Sequence, residues 1–307
     1  MLNLGYACIN VQLAAEGITT NRGMIKRTFL QKGVAYASQL ALQNVEALLC
    51  ILKWNVAQGI RVFRITSELF PWASEYPLES MPDFRAIRAV LEQAGRLPIR
   101  VSTHPGPFNK MGGTGATLEN TIRDLEIHGQ LFDLMGLPPS HWNKINIHVG
   151  GAYGDKEATI RRFAENFRRL SVSVRRRLTV ENDDKPGLYT VADLLPLHEM
   201  TGIPVVFDYF HHSLHNGGMP EEEAFHLAYG TWDMRPVFHF SSSRRDHEEP
   251  SAPREAHADF IYEPIRTYGK DVDIVLEAKM KERALERYRT AFGISNIDQG
   301  TPKAEPK

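Results

Sequence analysis

Short apolar runs recur along this chain, and between them lie longer stretches whose apolar residues return every three or four positions. Residues 2–8 open the series as a strand. Polar, glycine-containing sequence follows to Gly23. Residues 31–57 then carry Leu40, Val45, Leu48, Leu49, Leu52 and Val56 at helical spacing and stop at Gly59, the pattern of an amphipathic helix with a glycine terminator. Residues 60–66 predict a second strand, 83–94 a helix closed by Gly95, 99–103 a third strand, and 117–135 a helix closed by Gly136 and two prolines. Further strands are predicted at 145–147, 178–180, 205–207, 236–238 and 274–276. They alternate with helices at 156–177, 191–200, 221–229, one beginning near His257, and 280–292. The stretch 244–255 reads as a long charged loop, and 294–307, polar and proline-containing, as a disordered tail. Eight strand–helix alternations in this length predict an α/β protein, a single-domain (β/α)8 TIM barrel over residues 1–293. A doubly wound open sheet, the other architecture with this alternation, would gather its site at one switch point.

The places where the runs stop change the picture from fold to chemistry. The strand at 99–103 ends at His104, and that at 145–147 at His148. Leu178-Thr179-Val180 ends at Glu181, and Val205-Val206-Phe207 at Asp208, with His211 three residues on. Pro236-Val237-Phe238 ends at His239, and Ile274-Val275-Leu276 at Glu277. Catalytic groups of such barrels stand at the C-terminal ends of the strands. With His257 these residues form a set of eight metal ligands, more than one ion requires. Two or three divalent ions are therefore expected, with Glu181 bridging. Mixed nitrogen and oxygen donors without thiolate suit Mn²⁺ or Zn²⁺ and leave Mg²⁺ open. His128, His141, His198, His215, His226 and His247 lack this strand-end placement. A multinuclear centre at a barrel mouth fits hydrolysis of phosphate esters. Sugar isomerisation by a metal pair is the alternative, and the open, glycine-rich loops argue against a metal store.

Net charge is −1 over 307 residues, so a polyanion would have to be held by a local patch rather than a global field. The basic stretch 156–177 is read as a solvated outer helix. Cys8 and Cys50 make neither a disulfide framework nor a zinc motif, and read as reduced residues of a cytoplasmic protein. No apolar run long enough to span a bilayer is expected, and the N-terminus lacks the basic region of a signal peptide.

Several segments, taken in order, carry a resemblance: residues 4–10, the His104-Pro105-Gly106 loop, residues 148–154, Val180-Glu181-Asn182-Asp183, Asp208 with His211-His212, His239-Phe240-Ser241-Ser242, His257-Ala258-Asp259, and Glu277 with Lys279 and Lys281. Together they resemble the ultraviolet damage endonuclease family. The resemblance implies a barrel related to that of apurinic endonucleases and a trinuclear site usually holding manganese. It implies incision of damaged double-stranded DNA immediately 5′ to pyrimidine photoproducts and some other lesions; a monomer is expected. Tyr6 and Phe108 are expected at the mouth, pressing into a duplex weakened by the lesion, with Asn10, Pro107, Tyr153 and Arg244 as further substrate contacts. Three positions depart from the family pattern. Pro107 stands where glutamine is usual, Glu75 where histidine is expected, and Val237 where lysine is usual. The expectation drawn is compensation: Glu75 supplies charge to the cluster or serves, with Glu181, as a catalytic group.

Overall fold

The computed structural model describes residues 1–294. Its eight strands are β1 (Leu2–Cys8), β2 (Val62–Ile65), β3 (Arg100–Thr103), β4 (Ile145–His148), β5 (Leu178–Glu181), β6 (Val205–Val206), β7 (Val237–Phe240) and β8 (Val272–Leu276). They pair in parallel in the order β6-β5-β4-β3-β2-β1-β8-β7. The two ends of that order meet through a single bridge, Asp208 opposite His239, and through the His239 N–H donating to the Phe207 carbonyl at 3.0 Å. The sheet is thus an almost closed barrel, as the alternation predicted.

Eleven helices connect or cover the strands among the described residues. They are α1 (Val11–Ala15), α2 (Lys26–Ala57), α3 (Phe84–Gly95), α4 (Gly115–Leu134), α5 (Lys156–Phe167), α6 (Val172–Arg175), α7 (Val191–Thr201), α8 (Tyr209–Leu214), α9 (Glu221–Gly230), α10 (Arg244–His247) and α11 (Lys281–Phe292). By length and composition α2 could cross a bilayer, contrary to the sequence expectation. Half of its most apolar stretch is buried, and Leu48, Ile51 and Leu52 join the main core, so its apolar side is covered by the barrel.

Three sequence expectations change. The basic segment 156–177 is two helices, because the Ser171 side chain accepts from the Val174 N–H and starts a new turn. The charged stretch after Ser243 contains α10, capped by the Ser243 hydroxyl. No helix begins near His257: that residue bridges back to Ser243, and the chain stays irregular until β8. The expected tail lies outside the described residues except for Ile294, which packs on the core.

Alternation along the strands separates two environments. Outward residues such as Leu4, Tyr6, Phe63, Val101, Ile147, Val180, Phe238 and Ile274 pack in one core between barrel and helices. The inward phase is different. Ala7, Val62, Val237 and Val275 form a small apolar cluster in the lumen. Gly5 on the same phase has no room for a side chain, since a Cβ there would lie 2.1 Å from the Val62 carbonyl oxygen. Most of the remaining inward positions are polar, Val206 beside Glu181 being an exception. At the N-terminal end Asp273 accepts from Asn3 (2.9 Å) and Arg100 (2.9 Å) and lies 3.0 Å from Arg235. At the other end stand Arg64, Asn146, Glu181, His239 and Glu277.

Candidate metal centre

Six of the ligands, His104, His148, Glu181, Asp208, His239 and Glu277, occupy the inward phase of their strands at the C-terminal end or the first inward position beyond it, while His211 lies on α8 and His257 in the irregular segment before β8. Three sets of donor atoms each lie within 4.8 Å of one another: His104, His148 and Glu181; Glu181, Asp208 and His211; Asp208, His239 and Glu277. Glu181 and Asp208 each belong to two sets, so the three form one chain of sites. Glu181 Oε2 lies 3.1 Å from His104 Nε2 and 3.1 Å from His239 Nδ1, and Oε1 lies 3.2 Å from His211 Nδ1. His257 stands beside the cluster, its Nδ1 3.7 Å from Glu277 Oε2, and belongs to none of the three sets.

The donors fit divalent cations. Glu181 Oε1, Asp208 Oδ2 and His239 Nδ1 are buried and make no hydrogen bond, although oppositely disposed donors and acceptors lie close by. Buried polar atoms are normally paired, and cations held in the sets to which these residues belong would satisfy all three. The ring orientations agree. His104, His211 and His257 place Nδ1 against the backbone carbonyls of Pro105 (3.2 Å), Asn182 (3.0 Å) and Glu277 (3.0 Å). A carbonyl can only accept, so each ring carries its proton on Nδ1 and offers Nε2 as ligand. His239 is reversed: Nε2 meets Lys144 Nζ at 3.1 Å and Nδ1 faces Glu181 and Glu277.

Packing so many charges into a buried cup displaces their proton affinities. Burial works against the Glu181 carboxylate, yet the surrounding histidines, His239 first, hold it well below the usual range. Burial lifts Asp208 to about 7 and depresses His239 to about 3. His211 is raised well above a normal imidazole, because Asp208 and Glu181 together outweigh its burial. Burial lowers Lys144 to about 7. Arg64 donates to Glu277 and shares its charge.

The loops place the expected substrate contacts in two groups. Phe108, 87% exposed, and Pro107 stand free on the β3 loop, and Tyr153 is 55% exposed on the β4 loop. Arg244 is half-buried with Nε 3.0 Å from Glu249. Tyr6, by contrast, does not reach the mouth. It falls on the outward phase of β1, fully buried, edge-on to Phe63, with its hydroxyl between Asn55 (2.6 Å) and Asn10 (2.9 Å). Asn10 is buried with it and caps α1 through the Leu13 N–H. Glu75 is exposed on a 3₁₀ turn (Ala73–Glu75) and belongs to no ligand set. That turn is held outward by Phe29, which stacks on Trp72 at 5.4 Å and on Tyr76 at 6.1 Å. Glu75 thus contributes no donor atom to the three sets. The amine beside His239 comes instead from Lys144, which immediately precedes β4 on its inward phase, while Val237 fills the lumen with Ala7, Val62 and Val275. Lys144 was missed in the sequence. Its signal is a lysine abutting a strand, two residues before Asn146, at the inward period. Arg64 and Asn146, which both bind ligand carboxylates, follow the same inward rule.

The signature of the family described as UV-endonuclease UvdE matches residues 2–304. The chain belongs to the UV-endonuclease family. Among relatives of this family, a UV DNA damage endonuclease of Bacillus mycoides is 34% identical over 80% of each chain. A UV-damage endonuclease of Schizosaccharomyces pombe is 32% identical over 95% of this chain, which spans about half (51%) of that longer protein. The crystal structure of SacUVDE superposes with TM-score 0.80 at 31% identity, covering 95% of this chain and 99% of that one. Endonuclease IV from Thermus thermophilus, at 16% identity and TM-score 0.55, shares the fold. The UV-endonuclease match sets aside the sugar-isomerase alternative.

Proposed function

We propose that this chain is a DNA repair endonuclease that incises damaged double-stranded DNA 5′ to ultraviolet photoproducts and other helix-distorting lesions, and that it works as a monomer with two or three Mn²⁺ ions. The observation that supports it most is the linked triplet of donor sets, which share Glu181 and Asp208, in a chain that matches a UV-endonuclease family from end to end. Bound at such a site, divalent ions lower the pKa of water and stabilise phosphate oxygens. The protein's own part is positioning. Glu181 and Asp208 together link the three sets. Backbone carbonyls fix the tautomers of His104, His211 and His257, and His148, with Nδ1 3.0 Å from Asp183, is steadied by a carboxylate. Pro107 and Phe108 press on the duplex, where a poorly stacked lesion lowers the unstacking cost, which is a few kcal/mol for an intact base. Tyr153 and Arg244 flank them. Reading deformability in this way lets one site accept chemically different lesions.

The test is an incision assay on a duplex with one defined photoproduct, run in parallel with Mn²⁺, Zn²⁺ and Mg²⁺ and mapped against a sequencing ladder. A cut immediately 5′ to the lesion, with Phe108→Ala lowering preference for damaged over undamaged DNA, is expected. Cutting at sites unrelated to the lesion, or none with any metal, would overturn the reading.

A further inference from the structure

The segment between Glu16 and Glu46 holds no acidic residue and four cations, Arg22, Lys26, Arg27 and Lys32, in a chain of net charge −1. It is the local basic patch that a nearly neutral protein needs for a polyanion. Arg22 is used within its own loop, donating to the Gly17 and Thr19 carbonyls. Lys26, Arg27 and Lys32 are exposed and make no ion pair among the described residues.

The same segment exposes Ile25 (70%) and Leu30 (73%), among the most exposed large apolar side chains described. Its backbone is separable from the rest of α2. Gly33 is non-helical, at φ 62° and ψ −161°, a conformation that a residue with a Cβ rarely adopts. The first turns of α2, residues 26–32, are thus an arm set off from the buried helix body. At 3.6 residues per turn, Lys26, Leu30 and Arg27 fall within about 100° of one another. Leu30 lies between two cations on the outer face, and Phe29 points inward to its stack on Trp72 and Tyr76.

The arm stands on the mouth rim. It follows the C-terminal end of β1, whose last residue pairs with the last residue of β2, Cys8 with Ile65. It rests on the loop that leaves that same end of β2, and Trp72 Nε1 donates to the Met24 carbonyl at 2.8 Å. This is the barrel end that carries the metal centre.

We infer that residues 25–32 are a second DNA contact, an arm that grips the duplex to one side of the incision site, with Lys26 and Arg27 on backbone phosphates and Leu30 against the groove between them. The inference rests on the DNA reading above and adds the flank. Apolar residues framed by cations are the chemistry of groove contact without base-specific readout.

The test measures binding and incision on photoproduct duplexes trimmed stepwise from either end, for wild type, Lys26→Ala/Arg27→Ala, Leu30→Ser and Leu30→Met. All the changes are at exposed positions, and melting temperature and metal content check the fold. On long duplex the double variant should bind about tenfold more weakly, with a salt dependence shallower by about two in log–log slope. Leu30→Ser should weaken binding at unchanged slope, and Leu30→Met should restore it. Trimming the duplex from one end only should erase these differences. Variants indistinguishable from an active wild type would overturn the arm. So would a wild-type dimer that Leu30→Ser separates without altering DNA binding, which would make this face a self-interface. A wild type that neither binds nor cuts damaged duplex would instead overturn the DNA reading itself.

Discussion

Both ends of the barrel lumen are polar and buried, yet they are built on opposite terms. At the N-terminal end Asp273 accepts from Asn3 and Arg100 and faces a second cation, Arg235; Arg100 also donates to the Trp142 carbonyl at 2.7 Å and the Arg235 carbonyl at 2.8 Å, and its guanidinium lies 4.0 Å from the Trp142 ring centre. Charge is closed there within the protein. At the C-terminal end carboxylates and imidazoles crowd together with donor atoms left over. Burying a charge is costly unless it is paired, so the paired end is structural, and the unpaired end is a charge set that cations complete. The middle of the lumen, with Val62, Val237 and Val275, separates the two.

This comparison breaks in a definite order if it is wrong. Glu181 links two of the three donor sets, so Glu181→Gln should abolish incision and reduce bound metal, measured by elemental analysis, with little change in circular dichroism. Retained stoichiometry would deny its bridging place. At the opposite end, Asp273→Asn leaves Arg100 buried without its partner and should cost about 3–5 kcal/mol of stability by denaturant titration, while the metal content of the folded fraction stays normal. A metal loss there would mean the two ends are not independent.

Lys144 lies between these cases. Its Nζ hydrogen-bonds the reversed histidine, so Lys144→Met should weaken metal affinity by about 10- to 100-fold, as loss of an outer hydrogen bond to a ligand does. Stability should hardly fall, since a buried amine is replaced by an apolar chain of similar length. Unchanged affinity would make Lys144 a filler. The mildest effect concerns protons. His211, raised by its acidic neighbours against its burial, stays protonated at neutral pH without a cation. Loading must expel that proton, so metal affinity should rise with pH and fall as pH drops. Calorimetry in buffers of different ionisation enthalpy should register proton release on loading, and a pH-independent affinity would contradict it.

The barrel and its ligand ring were legible because both follow from short-range pattern. An apolar run ending at His, Asp or Glu locates a strand end, and the strand end locates the mouth. Tyr6 was misplaced because a strand with one phase of small and polar residues (Asn3, Gly5, Ala7) and one of larger apolar ones does not by itself say which phase faces the lumen. Only pairing with β2 and packing against α2 set it outward. Asn10 followed Tyr6 into the core. Glu75 was misplaced because a loop's direction depends on the partner it packs on, here Phe29, far away in sequence. Lys144 escaped notice for a related reason: its partner is His239, on a strand across the lumen.

The barrel closes between β6 and β7 on very little. β6 has two residues, and the joint is one bridge, Asp208 opposite His239. Both are donors of one set, with Glu277. An ion held there clasps the two free edges of the sheet as it completes the site, like a rivet through an overlap. The fold would then be a ring fastened by its own cofactor, and one of the thinnest joints of the scaffold would lie under the reacting centre.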